Sequence, residues 1–299
     1  MGNLLQMSIT SGQDTDSRQF TLAANSHRLA GETYDANGNR TSGSADGFTS
    51  VSYNILNLPE TVTAGGWTIN YLYSAAGVKL RERVILSDPP VILSDPHVIL
   101  SASEESTTDY AGNTVFRDSV LHKVLTGSGY LETTDSLQTL LSHPGYRFFI
   151  TDQLGSVRAV VDSQGSVVER NDYYTYGKRH TTGRTYADLK NSPLLFSGKE
   201  DQGQALDIAS RTTTPSDLRI LDFGARHYDP IVPRWTTPDP LAEKYFPINT
   251  YAYCAGDPVN YWDPEGREIV INGSEKSQKN YLKMLYNSTG ILKSVKKIK

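Results

Sequence analysis

The sequence of 299 residues predicts an all-β fold. First, 18 Tyr and 24 Gly stand beside many Thr, Val, Asn and Asp, a composition that favours short strands and tight turns over helices. Second, tyrosines open similar segments at Tyr34, Tyr53 and Tyr73, and each segment continues with a polar turn and a run of β-forming residues. We therefore expect stacked β-hairpins that build a curved sheet or a closed wall.

The predicted hairpin turns lie shortly after each opening tyrosine. Gly38, Asn57 and Gly77 occupy these places, and Gly and Asn are the residues that most readily adopt the positive φ of a tight turn. A single hairpin cannot bury its apolar face alone, so the units are expected to stack on one another. Weaker copies of the same unit begin at Tyr110, Asp152 and Asp162.

Four segments follow from these patterns. Residues 1–29 are expected to be poorly ordered, residues 30–145 to form the repeat region, residues 146–267 to form a distinct module, and residues 268–299 to form a short variable tail. Within the repeat region, residues 84–104 repeat the heptapeptide VILSDPP almost three times. Because Asp-Pro recurs and proline interrupts a strand, we expect a low-complexity loop insertion there; an apolar edge strand is the alternative.

The tail after Gly266 contains the one helix that the sequence predicts. EIVING (268–273) is typical of a short strand, and residues 274–288 place apolar side chains three and four residues apart behind Ser274, a favoured helix cap. Residues 267–299 carry eight Lys or Arg and two Glu. These charges suit contact with nucleic acid or membrane, or simply a solvated helix that ends in lysines. A segment of this length is too short for an independent enzyme core.

Several functional classes lack their usual signals in this sequence. The net charge of −4 offers no general footprint for nucleic acid, and neither a signal peptide nor an apolar stretch of about 18 residues is present. The single Cys254 excludes an internal disulfide. No specific nucleic-acid or membrane partner is expected. The histidines show no metal-binding spacing and no Gly-rich phosphate loop precedes a helix, so we expect no metal ion and no cofactor.

An ordered succession of motifs resembles a known family. YDANGNR (34–40) resembles the YD repeat of Rhs (rearrangement hot spot) proteins. Residues 146–267 resemble the Rhs repeat-associated core through three motifs, which are DQLGSVRAVVDSQGSVVERNDYYTYGKR, LFSGKE and DFGARHYDPIVPRWTTPDPLAEKYFPINTYAYCAGDPVNYWDPEG. The resemblance covers residues 30–82 and 108–267. A lone YDxxG would be a weak signal, whereas this succession is highly specific.

The resemblance implies a role in toxin delivery. Rhs proteins are polymorphic toxins of bacterial competition, in which YD repeats spiral into a hollow β-cocoon around a C-terminal toxin and the core closes one end. For this chain it implies a partial cocoon wall followed by the core, with residues 268–299 as a truncated toxin or a linker. The implied partners are its own C-terminal toxin segment or further shell repeats, an immunity protein and a secretion apparatus. The implied location is secreted or at the cell surface, reached from the cytoplasm by a non-classical route.

The same resemblance implies self-cleavage after the core by two aspartates. The positions that match are Asp239 and Asp263, each followed by proline and separated by 24 residues, and the expected break lies near residues 266–268. A carboxyl pair hydrolyses a peptide when one member is ionised and activates water while the other is protonated and polarises the carbonyl. Arg234 and Arg226 are the candidate residues for orienting the pair.

A core that never cuts is the alternative. Aspartate before proline commonly opens a turn, because the carboxylate accepts backbone N–H groups and proline presets φ; Asp229 and Asp257 are interpreted as turns only. The family pattern has glycine where this chain has Ala242, and an apolar residue where this chain has Arg267. Both departures favour a core that closes a shell without cleaving it.

A further alternative is a surface-binding module without catalysis. In this reading the Tyr-rich sheet recognises glycans or a partner cell and presents an exposed aromatic groove. Tyr173, Tyr174 and Tyr176 form one candidate stacking platform for a sugar or a nucleic acid. Packing of these rings against a sheet face is the structural explanation of the same cluster.

Overall fold

The described part of the chain begins with a β-hairpin, where the sequence predicted poor order. Strand β1 (Gln6–Ser11) pairs antiparallel with β2 (Asp14–Gln19). A computed structural model describes residues 6–11, 14–43, 48–86, 105–133, 145–180, 192–203, 219–245, 248–271 and 276.

The largest element is an open antiparallel sheet of eleven strands, here called the long sheet. Each strand pairs with the next one along the chain, so the sheet is a simple meander. This confirms the predicted all-β fold of stacked hairpins. The strands are β3 (Phe48–Tyr53), β4 (Pro59–Ala64), β5 (Trp67–Tyr73), β6 (Lys79–Leu86), β7 (Glu105–Ala111), β8 (Thr114–Arg117), β9 (Val120–Thr126), β10 (Gly129–Glu132), β11 (Gly145–Thr151), β12 (Val157–Asp162) and β13 (Val167–Arg170).

The turns predicted by the tyrosine period are present. Gly38, Asn57 and Gly77 have φ values of 87°, 58° and 80°, the left-handed region that a tight turn requires. Gly and Asn adopt this region at lower cost than other residues, which is why the sequence pattern located the turns correctly.

One hydrogen-bonding pattern recurs at these turns. Asn54 Oδ1 accepts the backbone N–H groups of Leu56 and Leu58 at 2.9 and 3.1 Å. The side chain thus replaces a backbone partner on both sides of the turn, which is the reason that Asn, Asp and Ser begin these turns. The same pair of acceptor bonds is made by Ser74, Asp152 and Asp162.

The two faces of the long sheet differ in their surroundings. On β5, Trp67, Ile69 and Tyr71 are buried on the face that we call inner. Ile220, from the C-terminal part of the chain, belongs to the apolar cluster on this inner face. On the opposite, outer face, Tyr146 and Phe148 of β11 lie stacked with ring centroids 6.3 Å apart and are each 43% exposed.

The C-terminal module, defined as residues 192–203, 219–245 and 248–271, packs an aromatic core. Ring contacts join Phe223, Tyr228, Trp235 and Tyr253, with centroid separations from 4.3 to 5.9 Å. Its 3₁₀ helices are Phe196–Gly198, Ala242–Tyr245 and Tyr253–Gly256. Its strands are β14 (Glu200–Asp201), β15 (Leu221–Asp222), β16 (His227–Asp229), β17 (Arg234–Trp235), β18 (Tyr261–Trp262) and β19 (Val270–Ile271).

The predicted strand in EIVING corresponds to β19, which pairs with β18. The predicted helix over 274–288 lies outside the described residues except for Lys276. The predicted loop insertion over 84–104 also lies outside them, except for residues 84–86, which belong to strand β6 and not to a loop. Among the residues that the structure describes, no helix has the length and hydrophobicity needed to cross a lipid bilayer.

The tyrosine cluster at 173–176 packs within the protein for the most part. Tyr173 contacts Phe196, and its hydroxyl donates to the Val157 carbonyl at 3.0 Å. The Tyr176 hydroxyl donates to the Gly256 carbonyl at 2.8 Å. These contacts match the packing explanation given above, because two of the three tyrosines attach their segment to the C-terminal module.

Candidate functional site

The two predicted aspartates, Asp239 and Asp263, meet at one arginine. Nη2 of Arg226 lies 3.1 Å from Oδ2 of Asp239 and 3.1 Å from Oδ2 of Asp263. The chain segments that carry the aspartates are therefore folded back onto each other across the guanidinium. Two ionised carboxylates and one guanidinium carry one net negative charge, and the site becomes neutral when one carboxylate takes up a proton.

Arg226 is held in place from several sides. Its side chain is 2% exposed, and its guanidinium carbon lies 4.1 Å from the centre of the Trp235 ring. Nε donates a hydrogen bond to the carbonyl oxygen of Gly266 at 2.6 Å. Burial lowers the pKa of Arg226, and the two aspartates counteract this shift. The arginine is fixed by stacking and hydrogen bonding, which makes its direction specific.

The Gly266–Arg267 peptide bond lies within this arrangement. Its carbonyl oxygen accepts the hydrogen bond from Arg226, and its N–H donates to Oδ1 of Asp263 at 3.0 Å. Gly266 has a φ of 71°, and a Cβ at this position would lie 3.0 Å from the Arg226 nitrogen. Glycine is therefore required here both for its conformation and for the close approach of the two segments.

Both aspartates are shifted toward the protonated form. Burial raises the pKa of Asp239 and that of Asp263, while Arg226 acts in the opposite direction on each. Asp263 is 1% exposed and Asp239 is 10% exposed, so the latter is the more accessible to water. Raised pKa values in a buried carboxyl pair allow one member to hold a proton while the other is ionised.

Arg234 lies apart from the aspartate pair. Its Nη2 donates to the carbonyl oxygen of His27 and approaches Asn249 Oδ1 at 3.4 Å, and its guanidinium carbon lies 5.4 Å from the Tyr251 ring centre. The structure therefore brings Arg226, and not Arg234, to the predicted pair. Arg226 immediately precedes β16, whereas Arg234 is the first residue of β17 and pairs with Asp229.

The four Asp-Pro pairs between residues 229 and 264 open turns through their carboxylates. Asp229 Oδ1 accepts the N–H groups of Ile231 and Val232, and Asp257 Oδ1 accepts the N–H of Asn260. Asp239 and Asp263 make the same kind of bond, to the N–H groups of Leu241 and Glu265. The turn role and the paired role are therefore compatible, because each aspartate of the pair uses one oxygen for the turn and the other for Arg226.

The two departures from the family pattern are accommodated locally. Ala242 begins a 3₁₀ helix and is absent from the described residues with positive φ, so glycine is not required there. Arg267 has an exposed side chain, while its backbone N–H keeps the bond to Asp263. Neither position disturbs the arrangement of Asp239, Arg226 and Asp263.

Sequence reasoning missed Trp235 and Lys199. Lys199 Nζ donates to the Pro264 carbonyl at 2.5 Å and so supports the turn that carries Asp263. Trp235 supplies the ring beneath Arg226. The sequence carried no specific signal for either residue, although tryptophan is the ring that binds a cation best. Within the described ranges, no group of three His, Cys, Asp or Glu is placed to hold a metal ion.

Comparison with known proteins relates the chain to a toxin subunit in sequence and to toxin structures in fold. No family model matches the sequence. "Toxin subunit YenC1" of Yersinia entomophaga is 24% identical over 172 residues, which is 55% of this chain and 16% of that protein. This chain therefore spans about one sixth of the length of that relative.

Solved structures share the fold of the chain. The crystal structure of TcdB2-TccC3 superposes with a TM-score of 0.64 at 18% identity, over 89% of this chain and 13% of that one. The Photorhabdus luminescens Tc holotoxin pore, in a variant of its TccC3 component, gives a TM-score of 0.65 at 19% identity, over 89% of this chain and 12% of that one. The chain is thus similar in sequence to a toxin subunit and shares its β-rich fold with parts of Tc toxin structures.

Proposed function

We propose that this chain is part of the shell of a Tc- or Rhs-type toxin, and that its core cleaves itself between Gly266 and Arg267. The similarity to toxin subunits supports the shell role. In this role the long sheet forms part of the shell wall, and the segment after Gly266 leads into the enclosed effector. The implied partners are further shell subunits, the effector, an immunity protein and a secretion apparatus, with action outside the producing cell.

One observation carries the cleavage proposal: both ends of a single peptide bond are hydrogen-bonded by the candidate machinery. Arg226 Nε approaches the Gly266 oxygen at 2.6 Å, and Asp263 Oδ1 approaches the Arg267 nitrogen at 3.0 Å. A donor at the carbonyl oxygen stabilises the negative charge that develops there during attack. A carboxyl at the nitrogen is placed to protonate the departing amine.

The proposed hydrolysis of the peptide bond uses a water molecule, the two carboxyl groups and Arg226. Asp239 accepts a proton from a water molecule, whose oxygen attacks the Gly266 carbonyl carbon. Arg226 stabilises the oxyanion of the tetrahedral intermediate. The C–N bond then breaks, protonated Asp263 gives its proton to the Arg267 nitrogen, and the products are a carboxylate at Gly266 and a new amino terminus at Arg267. Because the peptide is part of the enzyme, each molecule turns over once.

Intact-mass spectrometry of the purified full-length chain tests this proposal. The expected products are residues 1–266 and residues 267–299 in equal amounts. Asp263→Asn and Asp239→Asn are expected to leave the chain whole. Asp257→Asn is the matched control, because it alters an Asp-Pro turn outside the pair and is expected to cut as the wild type does. A wild-type chain that stays intact at both neutral and acidic pH would leave the shell role alone.

A glycan-binding module remains a second candidate because of one feature on the outer face. The stacked Tyr146 and Phe148 rings are both 43% exposed, and Ile150 beside them is 53% exposed. Flat exposed rings of this kind form platforms against which sugars pack. A glycan array in which wild type and a Tyr146→Ala, Phe148→Ala double variant both give no signal would remove this candidate.

A further inference from the structure

An open pocket lies beside the loop that joins the bridged residues Leu22 and Leu29. Its volume of about 540 Å³ lies within the range of about 300–1,000 Å³ that is typical of small-ligand sites. The pocket involves neither Arg226 nor the aspartate pair. Its lining residues are Asn25, Ser26, His27, Arg28 and Tyr251.

Arg28 provides one cation at this pocket. Its guanidinium carbon lies 5.0 Å from the Tyr34 ring centre, and its charge opposes the rise that burial causes in the pKa of the Tyr251 hydroxyl. That hydroxyl itself donates to the Gly38 carbonyl at 2.6 Å. Among the described residues, no carboxylate lies within ion-pair distance of Arg28. The arginine thus lies beside aromatic side chains and keeps its charge uncompensated.

Arg234 provides a second cation, which does not line the pocket but contacts two residues that do. Its Nη2 donates to the carbonyl oxygen of His27, and its guanidinium carbon lies 5.4 Å from the Tyr251 ring centre. Both of these neighbours line the pocket. The Arg234 side chain is 5% exposed, and burial lowers its pKa.

The lack of a carboxylate at Arg234 sets it apart from the other deeply buried arginines. Arg40 is paired with Asp229 at 2.6 Å, and Arg226 is paired with two aspartates. Within the described ranges, Arg234 has only carbonyl and amide oxygens and an aromatic ring as partners. A buried guanidinium without a counter-ion is unfavourable, so a nearby anion would be stabilising.

We propose that this pocket binds the oxyanion of a small polar ligand. Arg28 is the direct contact, since a guanidinium offers paired N–H donors that match phosphate, sulfate and carboxylate oxygens. Arg234 acts through the pocket wall as a fixed positive charge. The volume exceeds that of a bare oxyanion, so the ligand has a polar body as well.

The neutral lining residues suit the body of such a ligand. Ser26 Oγ accepts the Arg28 backbone N–H at 3.0 Å and keeps its own hydrogen to donate. Asn25 is exposed and holds a φ of 53°, which presents its amide at the tip of the loop. Hydroxyl and amide groups are the usual partners of sugar hydroxyls, while the arginines select for negative charge.

Titration of the full-length chain with three probes tests the proposal. Inorganic phosphate, inorganic sulfate and a sulfated disaccharide are added at constant ionic strength, and binding is followed by calorimetry and by the thermal unfolding midpoint. Saturable binding of at least one probe is expected. A disaccharide that binds about tenfold tighter than sulfate would identify a sugar anion, whereas equal affinities would identify a free oxyanion.

Arg28→Gln is expected to weaken binding about tenfold, because a charge-assisted hydrogen bond is lost. Arg147→Gln is the matched control, since this arginine lies on the long sheet beside Glu132 and is expected to bind as the wild type does. Should Arg28→Gln fail to fold, Asn25→Gly keeps the positive φ and is expected to weaken binding about threefold. No saturable binding by the wild type, or equal affinity in Arg28→Gln, would overturn the proposal.

Discussion

Arg40 and Asp229 form a buried ion pair between the first repeat unit and the C-terminal module. Arg40 Nη2 lies 2.6 Å from Asp229 Oδ2, and the two side chains are 3% and 0% exposed. They are 189 positions apart in the chain. The other carboxylate oxygen of Asp229 accepts the Ile231 and Val232 N–H groups, so one side chain organises a turn and joins two distant segments.

Asp229→Asn is expected to destabilise the protein by about 3–5 kcal/mol, because it removes the negative charge that lies 2.6 Å from the buried Arg40 guanidinium. Urea unfolding measures the change in the free energy of unfolding. Asp172→Asn is the control: its pair with Arg158 is exposed, and the expected cost is below about 1 kcal/mol. Equal effects in the two variants would contradict the importance of the buried pair.

Gly266→Ala is expected to abolish self-cleavage and to destabilise the C-terminal module. The new Cβ would lie 3.0 Å from the Arg226 backbone nitrogen, in addition to the strain of a positive φ. Gly165→Ala has a similar φ of 82° but meets nothing within 4 Å, so it isolates the conformational strain of about 1–2 kcal/mol. Intact mass and thermal unfolding are compared for both variants. Cleavage by Gly266→Ala at the wild-type rate would argue against a tightly held peptide bond.

Glu82 is expected to make stability fall as pH rises. Burial raises its pKa to about 7, above the ordinary value of 4.5, although Lys79 opposes the shift from 3.8 Å. The folded state then binds a proton more readily than the unfolded state between about pH 4.5 and 7, and stability decreases across that window.

Glu82→Gln removes this dependence, and the gain relative to wild type is expected to be larger at pH 8 than at pH 5, by up to roughly 3 kcal/mol. Urea unfolding at the two pH values provides the measurement. Glu105→Gln is the contrasting control, because the hydrogen bond from Arg83 lowers the pKa of Glu105 and the sign of its contribution is reversed. A pH slope unchanged by Glu82→Gln would rule out this origin.

Asp162→Ala is expected to cost about 1 kcal/mol of stability, since two backbone N–H groups lose their acceptor. Asp162 Oδ1 binds the N–H groups of Gln164 and Ser166 at 3.0 and 2.8 Å. Asp162→Asn keeps the acceptor oxygen and is expected to remain close to wild type. Thermal unfolding of the three proteins distinguishes a side-chain acceptor effect from a charge effect, which would instead destabilise both variants.

The sequence predicted the hairpin turns well because their causes are local. The positive φ at Asn57 and the acceptor bonds of Asn54 involve residues within one turn, so a single sequence displays the whole interaction. The pairing of β1 with β2 was not predicted, because residues 1–29 lack the tyrosine period that located the other hairpins.

The candidate site was likewise predicted only in part from the sequence. The spacing and the family motif pointed to Asp239 and Asp263, but the choice between Arg226 and Arg234 depended on how β16 pairs with β17. Side chains alternate between the two faces of a strand, and only the packed module determines which arginine faces the aspartates.

Local chemistry therefore accounts for the period and the turns, whereas the two aspartates were predicted from the resemblance to the family motif. Contacts across long separations account for the rest. The bond from Arg226 to Asp263 spans 37 positions, and the Arg40–Asp229 pair spans 189. Such contacts form only when burial of the aromatic core has brought the segments together, because no local interaction specifies them.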